Sequence, residues 1–345
     1  MIIIIIFVVL YLFALLAENA TADNKRRLLI FACLVLAIIA GTRDSSWADT
    51  GVYIMGFQDY TPSFADLTMY DQPFGYAEKG FFYLGVIVKS FTSSVTAYFL
   101  FVSFLTFFFL YKVFDKYCYY PFLGICAYIS RFYLARNFMQ IRTGLSYAII
   151  MLAVQYISKR DWKRYFAIVF VAYLFHHSAL IAVPLYFLSM INIKKLHILL
   201  GIAVAFIVSF YYSDIIRQLV GENASDLNVD TYVTEQYTRE FGLANPMIYF
   251  QLFILLVYTF AEGRMRLTTE HYYTIRNAYF YSTLILITFS CYTALSGRTS
   301  SMFATLEMVI IPSLALAFFK KDRWVAFLIM GGVLTIIFYI NYMRA

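Results

Sequence analysis

The chain has 345 residues, 62% of them hydrophobic, 20% aromatic and only 14% charged, with a mean hydropathy of +0.72. Soluble domains carry about 25% charged residues, so this composition excludes an ordinary soluble domain and points to an integral membrane protein. The formal net charge of +7 does not mark a nucleic-acid binder, because the bases fall in short clusters between apolar segments, the pattern of cytoplasmic loops.

Apolar runs predict membrane spans at 1–17, 28–42, 95–111, 119–135, 141–157, 163–176, 178–191, 196–212, 246–262, 277–296, 300–319 and 324–341. The first run resembles a signal-peptide core, yet its basic residues follow it instead of preceding it, so it reads as a retained helix with its N-terminus outside. One further apolar segment, 80–92, is decided by charge. The clusters "NKRR", "SKRDWKR", "NIKK", "EGRMR" and "KKDR" all become cytoplasmic only if 80–92 does not cross. Cytoplasmic segments then hold 17 of the 27 Lys and Arg, while the outer loops 43–79 and 213–245 each carry six acids against two bases. Residues 78–92 are therefore expected to form a re-entrant or amphipathic helix at the outer face. The expected fold is an all-α polytopic membrane protein of about twelve transmembrane helices, a single integral membrane domain over 1–345. Spans 163–176 and 178–191 are only about 14 residues each, roughly 21 Å against a bilayer core of about 30 Å. Their shared tip, "FHHSAL", is thus expected below the outer surface, facing a protein-walled cavity.

Five arginines fall at or just inside the outer ends of predicted spans. Arg43 ends one span, Arg131 and Arg136 end another, Arg142 opens the next, and Arg298 sits in the predicted turn "LSGRTS". An arginine in the hydrocarbon costs roughly 2.5–3.5 kcal/mol on insertion scales, so each requires headgroup snorkelling, a partner or a function. Five on one side suit a pyrophosphate at the water-lipid boundary, since the guanidinium fork binds phosphate bidentately and stays charged. Arg136 and Arg142 would face each other if the hairpin turn lay near Asn137. His176 and His177 are two of only four histidines, and either could take a proton from a sugar hydroxyl or serve as a buried or capping residue. In the first outer loop Asp44, Asp49 and Tyr53 are weak candidates for glycan contacts, and Glu78 opens the re-entrant segment. No tight carboxylate cluster stands out, so no metal site is expected. Cys33, Cys118, Cys126 and Cys291 lack metal-ligand spacing and read as buried small hydrophobes.

The series "GTRDSSWADTGVY", "EKGFFYL", "RNFMQIRTGLSYAIIMLAVQYI", "FHHSALIAVPLYF" and "GRTSSMFATLEMVIIP", in that order, resembles the EpsG family of Wzy-like polysaccharide polymerases. The resemblance covers about residues 41–312. It implies a multi-pass enzyme of the bacterial inner membrane that lengthens a surface polysaccharide such as O-antigen, capsule or exopolysaccharide. A growing glycan would pass from undecaprenyl pyrophosphate to the non-reducing end of a lipid-linked repeat unit, on the side facing the periplasm or cell exterior. Carried onto this chain, Arg136, Arg142 and Arg298 would hold the donor pyrophosphate, with Arg43 a fourth contact or a loop anchor. His176 or His177 would deprotonate the acceptor, with Glu78 as the substitute. The chemistry would need no cofactor or metal, and the partners would be lipid-linked oligosaccharides, membrane lipid and a chain-length regulator. Two other classes remain open from the residues alone: a flippase of lipid-linked sugars and a membrane acyltransferase. The flippase would call for internal repeats, which are not seen; the acyltransferase draws on the "HH" pair.

Overall fold

Every regular element among the described residues is helical. The computed structural model describes residues 2–16, 21–75, 77–223, 241–267, 269–318 and 322–343; most of the predicted outer loop 213–245, at 224–240, lies outside them. In chain order the helices are α1 (Ile2–Leu16), α2 (Ala22–Gly41), α3 (Thr50–Asp59), α4 (Lys79–Lys89), α5 (Val95–Tyr117), α6 (Pro121–Tyr128), α7 (Ile141–Ser158), α8 (Trp162–Phe175), α9 (Val183–Leu188), α10 (Lys195–Tyr211), α11 (Ser213–Glu222), α12 (Pro246–Phe260), α13 (Glu262–Met265), α14 (Tyr272–Thr288), α15 (Thr293–Ala304), α16 (Glu307–Leu314) and α17 (Arg323–Tyr342). Local chemistry sets several starts. Ser94 accepts a hydrogen bond from the Ala97 amide to open α5, Asp161 accepts one from Arg164 to open α8, and Pro121 and Pro246 each occupy a first turn where no amide is needed.

Among the described residues three helices are long and apolar enough to cross a membrane, α5, α7 and α17, and two bent pairs raise the number to five. These pairs are α10 with α11, bent by 78°, and α15 with the helical segment Glu307–Ala317 that follows it in the chain. The structure is that of a helical membrane protein. Helix α4, eleven residues and about 16 Å long, is too short to cross the core, as the charge pattern requires.

Several expected boundaries move. The first outer loop contains α3, an apolar ten-residue helix hidden by its flanking Asp, Gly and Gln residues. The helix begun by α6 does not turn near Asn137 but continues as a π-helix over Ile129–Met139, and the break comes at Gln140, whose amide bonds five residues back to the Ala135 carbonyl at 2.7 Å. Span 178–191 is a 3-10 helix, His177–Ala182, followed by the six-residue α9. Arg298 is in the middle of α15, not in a turn, where neighbouring hydroxyls bond back along the helix: Thr299 donates to the Leu295 carbonyl and Ser301 to that of Arg298.

The chain forms two compact units, Met1–Val183 with Glu307–Ala345, and Pro184–Leu306. In the first, α2 packs along α5, α7 lies between α5 and α8, α6 contacts α1 and α16, and α17 covers the π-helix. A buried ion pair joins two of these elements: Arg131 Nε lies 3.2 Å from the Glu307 carboxylate, which has no solvent exposure. Such a pair is costly to break on one side only, since the survivor is left as an uncompensated buried charge. At Gly144 the backbone of the π-helix comes so near that a Cβ would stand 2.4 Å from the Arg136 carbonyl oxygen, so only glycine allows the tight entry into α7. In the second unit α14 is central, packed on α10, α12 and α15. Its core gathers Ala205, Ile248, Leu286 and Ile287, and paired hydroxyls lie beside it: Ser209 with Ser290 at 2.7 Å, and Ser282 to the Ser300 carbonyl at 2.7 Å.

Candidate functional site

The first unit gathers residues from four separate stretches of the sequence. Helix α8 ends at Phe175, and the amide of His176 caps it by donating to the Ala172 carbonyl at 3.0 Å. His176 itself is extended, and the 3-10 helix that follows turns the chain at once, so His177 emerges at the tip. The start of α4 meets that tip. A Cβ at Gly80 would stand 2.6 Å from the Leu174 carbonyl oxygen, so the glycine lets α4 press directly on the end of α8. This approach carries Glu78, the residue before α4, to the histidines. Glu78 Oε1 accepts hydrogen bonds from the His177 amide and pairs with His177 Nδ1, both at 3.1 Å. From the first turn of α7, Arg142 Nη1 donates to Glu78 Oε2 at 2.6 Å, and Arg142 also hydrogen-bonds the Tyr53 hydroxyl on α3. One carboxylate, 13% exposed, therefore bridges a guanidinium and an imidazole.

The charges are balanced locally. Burial by itself would raise the Glu78 carboxyl, but the hydrogen bond from His177 and the charges of Arg142 and His176 outweigh it and hold Glu78 below its ordinary value. Burial pushes the Tyr53 phenol up against the opposing pull of Arg142, so Tyr53 stays neutral and accepts from the guanidinium. His176 Nδ1 lies 2.6 Å from Ser178 Oγ and accepts from the Ser178 amide at 3.2 Å, while its ring stacks on His177 with centroids 4.6 Å apart. Glu78, His176 and His177 each offer one ligand atom, all within 4.8 Å of one another, a donor set that a zinc-class ion takes.

Beside Arg142 is a cavity of about 270 Å³, walled by Tyr53, Phe57, Phe74, Phe81 and Tyr98. Its aromatic lining comes from α3, α4 and the start of α5, with Phe74 added from the segment between α3 and α4, and Phe57 is stacked on Tyr98 at 4.4 Å. No motif announced this cavity. The spacing of Tyr53, Gly56 and Phe57 along one helical face would have signalled it had α3 been recognised as a helix.

The other sequence candidates lie elsewhere. Arg43 is stacked over Phe99 at 3.7 Å and donates to the carbonyls of Ala40 and Asn137 at 3.1 and 3.3 Å, which makes it an anchor between α2 and the π-helix. Arg136 is buried between the rings of Phe132 and Tyr147, at 4.2 and 4.9 Å, and does not line the cavity. Asp44 closes its own turn by accepting from the amide and hydroxyl of Ser46. Asp49, exposed and with a left-handed backbone, opens α3. Arg298 belongs to the second unit.

Because Gly80 sets the approach of Glu78, Gly80→Ala is expected to cost about 1–3 kcal/mol of stability through overpacking and to pull Glu78 off His177. A thermal melt in detergent checks this, and a wild-type value would mean that α4 tolerates the displacement.

No curated protein and no solved structure matches this chain. A family does: residues 26–345, nearly all of the chain and every element of the Glu78–Arg142–His177 site, match the EpsG family. The protein belongs to the EpsG family of Wzy-like polymerases.

Proposed function

We propose that this protein is a polysaccharide polymerase of the Wzy type, a glycosyltransferase that moves a growing glycan from undecaprenyl pyrophosphate to the non-reducing end of a lipid-linked repeat unit. The observation that carries the assignment is the single carboxylate, Glu78, which ties Arg142 to His177. Glycosyl transfer needs an electrophile whose leaving group gathers negative charge and a nucleophile that gives up a proton. A guanidinium suits the first need and an imidazole held by a carboxylate suits the second.

In this mechanism Arg142 contacts the donor pyrophosphate and stabilises the charge that develops as the C–O bond to the phosphate breaks. His177, oriented by Glu78, takes the acceptor hydroxyl proton as the new glycosidic bond forms, and the carrier leaves as undecaprenyl pyrophosphate. Glu78 is the alternative proton acceptor, and His176 supports His177 by stacking. The chain crosses the bacterial inner membrane about twelve times as one domain. Its site faces the periplasm or cell exterior, the loops 43–79 and 213–245 lie outside, and the product is an O-antigen, capsule or exopolysaccharide. A chain-length regulator acts with it; nucleic acid does not. No cofactor is used, and no metal either, because Arg142 already neutralises the carboxylate that a cation at Glu78, His176 and His177 would need.

Purified protein in lipid nanodiscs with fluorescent lipid-linked repeat units, in chelator and without any ion gradient, tests this directly. A ladder of longer glycans is expected. Movement of label across the bilayer without new linkages would make the protein a transporter, and a ladder abolished by the chelator would make the histidine cluster a metal site.

A further inference from the structure

The aromatic cavity next to Arg142 has no role in the mechanism above, and its character restricts what can enter. It holds about 270 Å³, its walls are the rings of Tyr53, Phe57, Phe74, Phe81 and Tyr98, and Arg142 lines one side. The polar groups on the wall are largely committed: Thr61 donates its hydroxyl to the Gly56 carbonyl at 2.8 Å, and the Tyr53 hydroxyl is engaged with Arg142. A pyranose ring entering here would bring several hydroxyls, and each one left unpaired costs roughly fivefold to a hundredfold in affinity. A branched hydrocarbon brings no such cost and gains the full transfer of its surface out of water. Among the described residues the one charged group on the wall, Arg142, is positive, so the matching occupant joins an anionic head to an apolar, branched body.

We propose that this cavity is the binding site for the phosphate-proximal isoprene units of a prenyl pyrophosphate, with the pyrophosphate on Arg142. The proposal rests on the polymerase assignment only for the identity of the natural lipid; the cavity's choice of a prenyl pyrophosphate over a sugar follows from its walls. It divides the substrate between two parts of one site. The carrier's first isoprenes are gripped by α3, α4 and α5, the phosphates lie at the start of α7, and the glycan extends toward Glu78 and His177. A carrier held by its lipid end leaves the glycan unconstrained, so a chain of any length presents the same reacting bond.

The test uses the full-length protein in nanodiscs and a C15 prenyl pyrophosphate carrying a diazirine on its first isoprene unit. After irradiation, adducts are expected on peptides containing Phe57, Phe74, Phe81 or Tyr98, and unlabelled C15 prenyl pyrophosphate should compete them away. Inorganic pyrophosphate should compete at least tenfold more weakly, and excess anionic phospholipid should not compete. Ala77→Phe, which fills the cavity from its half-buried rim, should lower labelling at least tenfold. Adducts confined to other helices would overturn the proposal. So would equal competition by inorganic pyrophosphate or by phospholipid, or competition by lipid-free repeat-unit oligosaccharide in place of the prenyl compound. Polymer formation by a protein whose cavity is not labelled removes this inference and leaves the polymerase standing, whereas specific labelling without polymer does the reverse.

Discussion

Arg142→Ala is expected to lower the rate of chain extension roughly 10²–10³-fold, the usual effect of removing one fixed donor from developing negative charge. In a strain lacking the native enzyme, the long ladder of surface glycan on a gel should collapse to single repeat units. Two losses combine. The substitution takes away the proposed phosphate contact, and it strips Glu78, 13% exposed, of a charge-assisted partner at 2.6 Å. Arg142→Lys separates them. A lysine keeps the charge, but its ammonium is a point donor without the planar fork that reaches Glu78 and Tyr53 together. We expect the lysine variant to fall between wild type and alanine, about tenfold down, with normal amounts of protein by immunoblot. Long chains at normal abundance in both variants would remove Arg142 from phosphate binding.

Glu78→Gln should be the other severe change, on the order of 10²–10⁴-fold in rate, the range of a lost general-base assembly. Glutamine keeps the shape, so packing survives, but it cannot serve both Arg142 and His177 as an anion. His177→Ala is expected to match it within a few fold, because both remove one proton-accepting unit, and the double variant should be scarcely worse than either. His176→Ala should be milder, since His176 Nδ1 is engaged with Ser178 and His176 acts on Glu78 through its charge and on His177 by stacking. Equal effects of the two histidine substitutions, or strictly multiplicative effects of Glu78→Gln and His177→Ala, would sink the shared-carboxylate assignment. The carboxyl also fixes a pH dependence. Glu78 is held below its ordinary value of 4.5 in the fold, so its contribution to stability is complete above that value and disappears as pH falls through the lower folded value. Melting temperatures from about pH 3 to 6 should show this acid loss in the wild type and a smaller one in Glu78→Gln.

The membrane character was legible because it depends on a quantity that adds along the chain, apolar length. The residue types at the centre were legible as well. An ionisable side chain is conspicuous in a chain that is only 14% charged, which put Arg142, His176, His177 and, as a substitute base, Glu78 among a wider set with Arg43, Arg136 and Arg298 before any contact was known. What failed was geometry that local pattern does not encode. The break after the π-helix falls at Gln140 in place of Asn137, because a bond to the fifth residue back extends the helix where a propensity reading would end it. That extension turns Arg136 inward against Phe132 and Tyr147 and leaves Arg142 as the only one of the pair at the cavity.

By itself, then, the sequence determined that the chain belongs in a membrane, which family it resembles, and which few ionisable residues need an explanation there. Tertiary structure decided their partners. Glu78 and His177 are 99 positions apart, and Glu78 and Arg142 are 64 apart. They meet because two backbone approaches, at Gly80 and Gly144, are closer than any side chain would permit. The hydrophobic effect that selects the helices depends on how much surface is buried and not on which residues share it, so composition foretells burial. A hydrogen bond of 2.6 Å needs specific atoms at a specific angle, and only the packed chain supplies those.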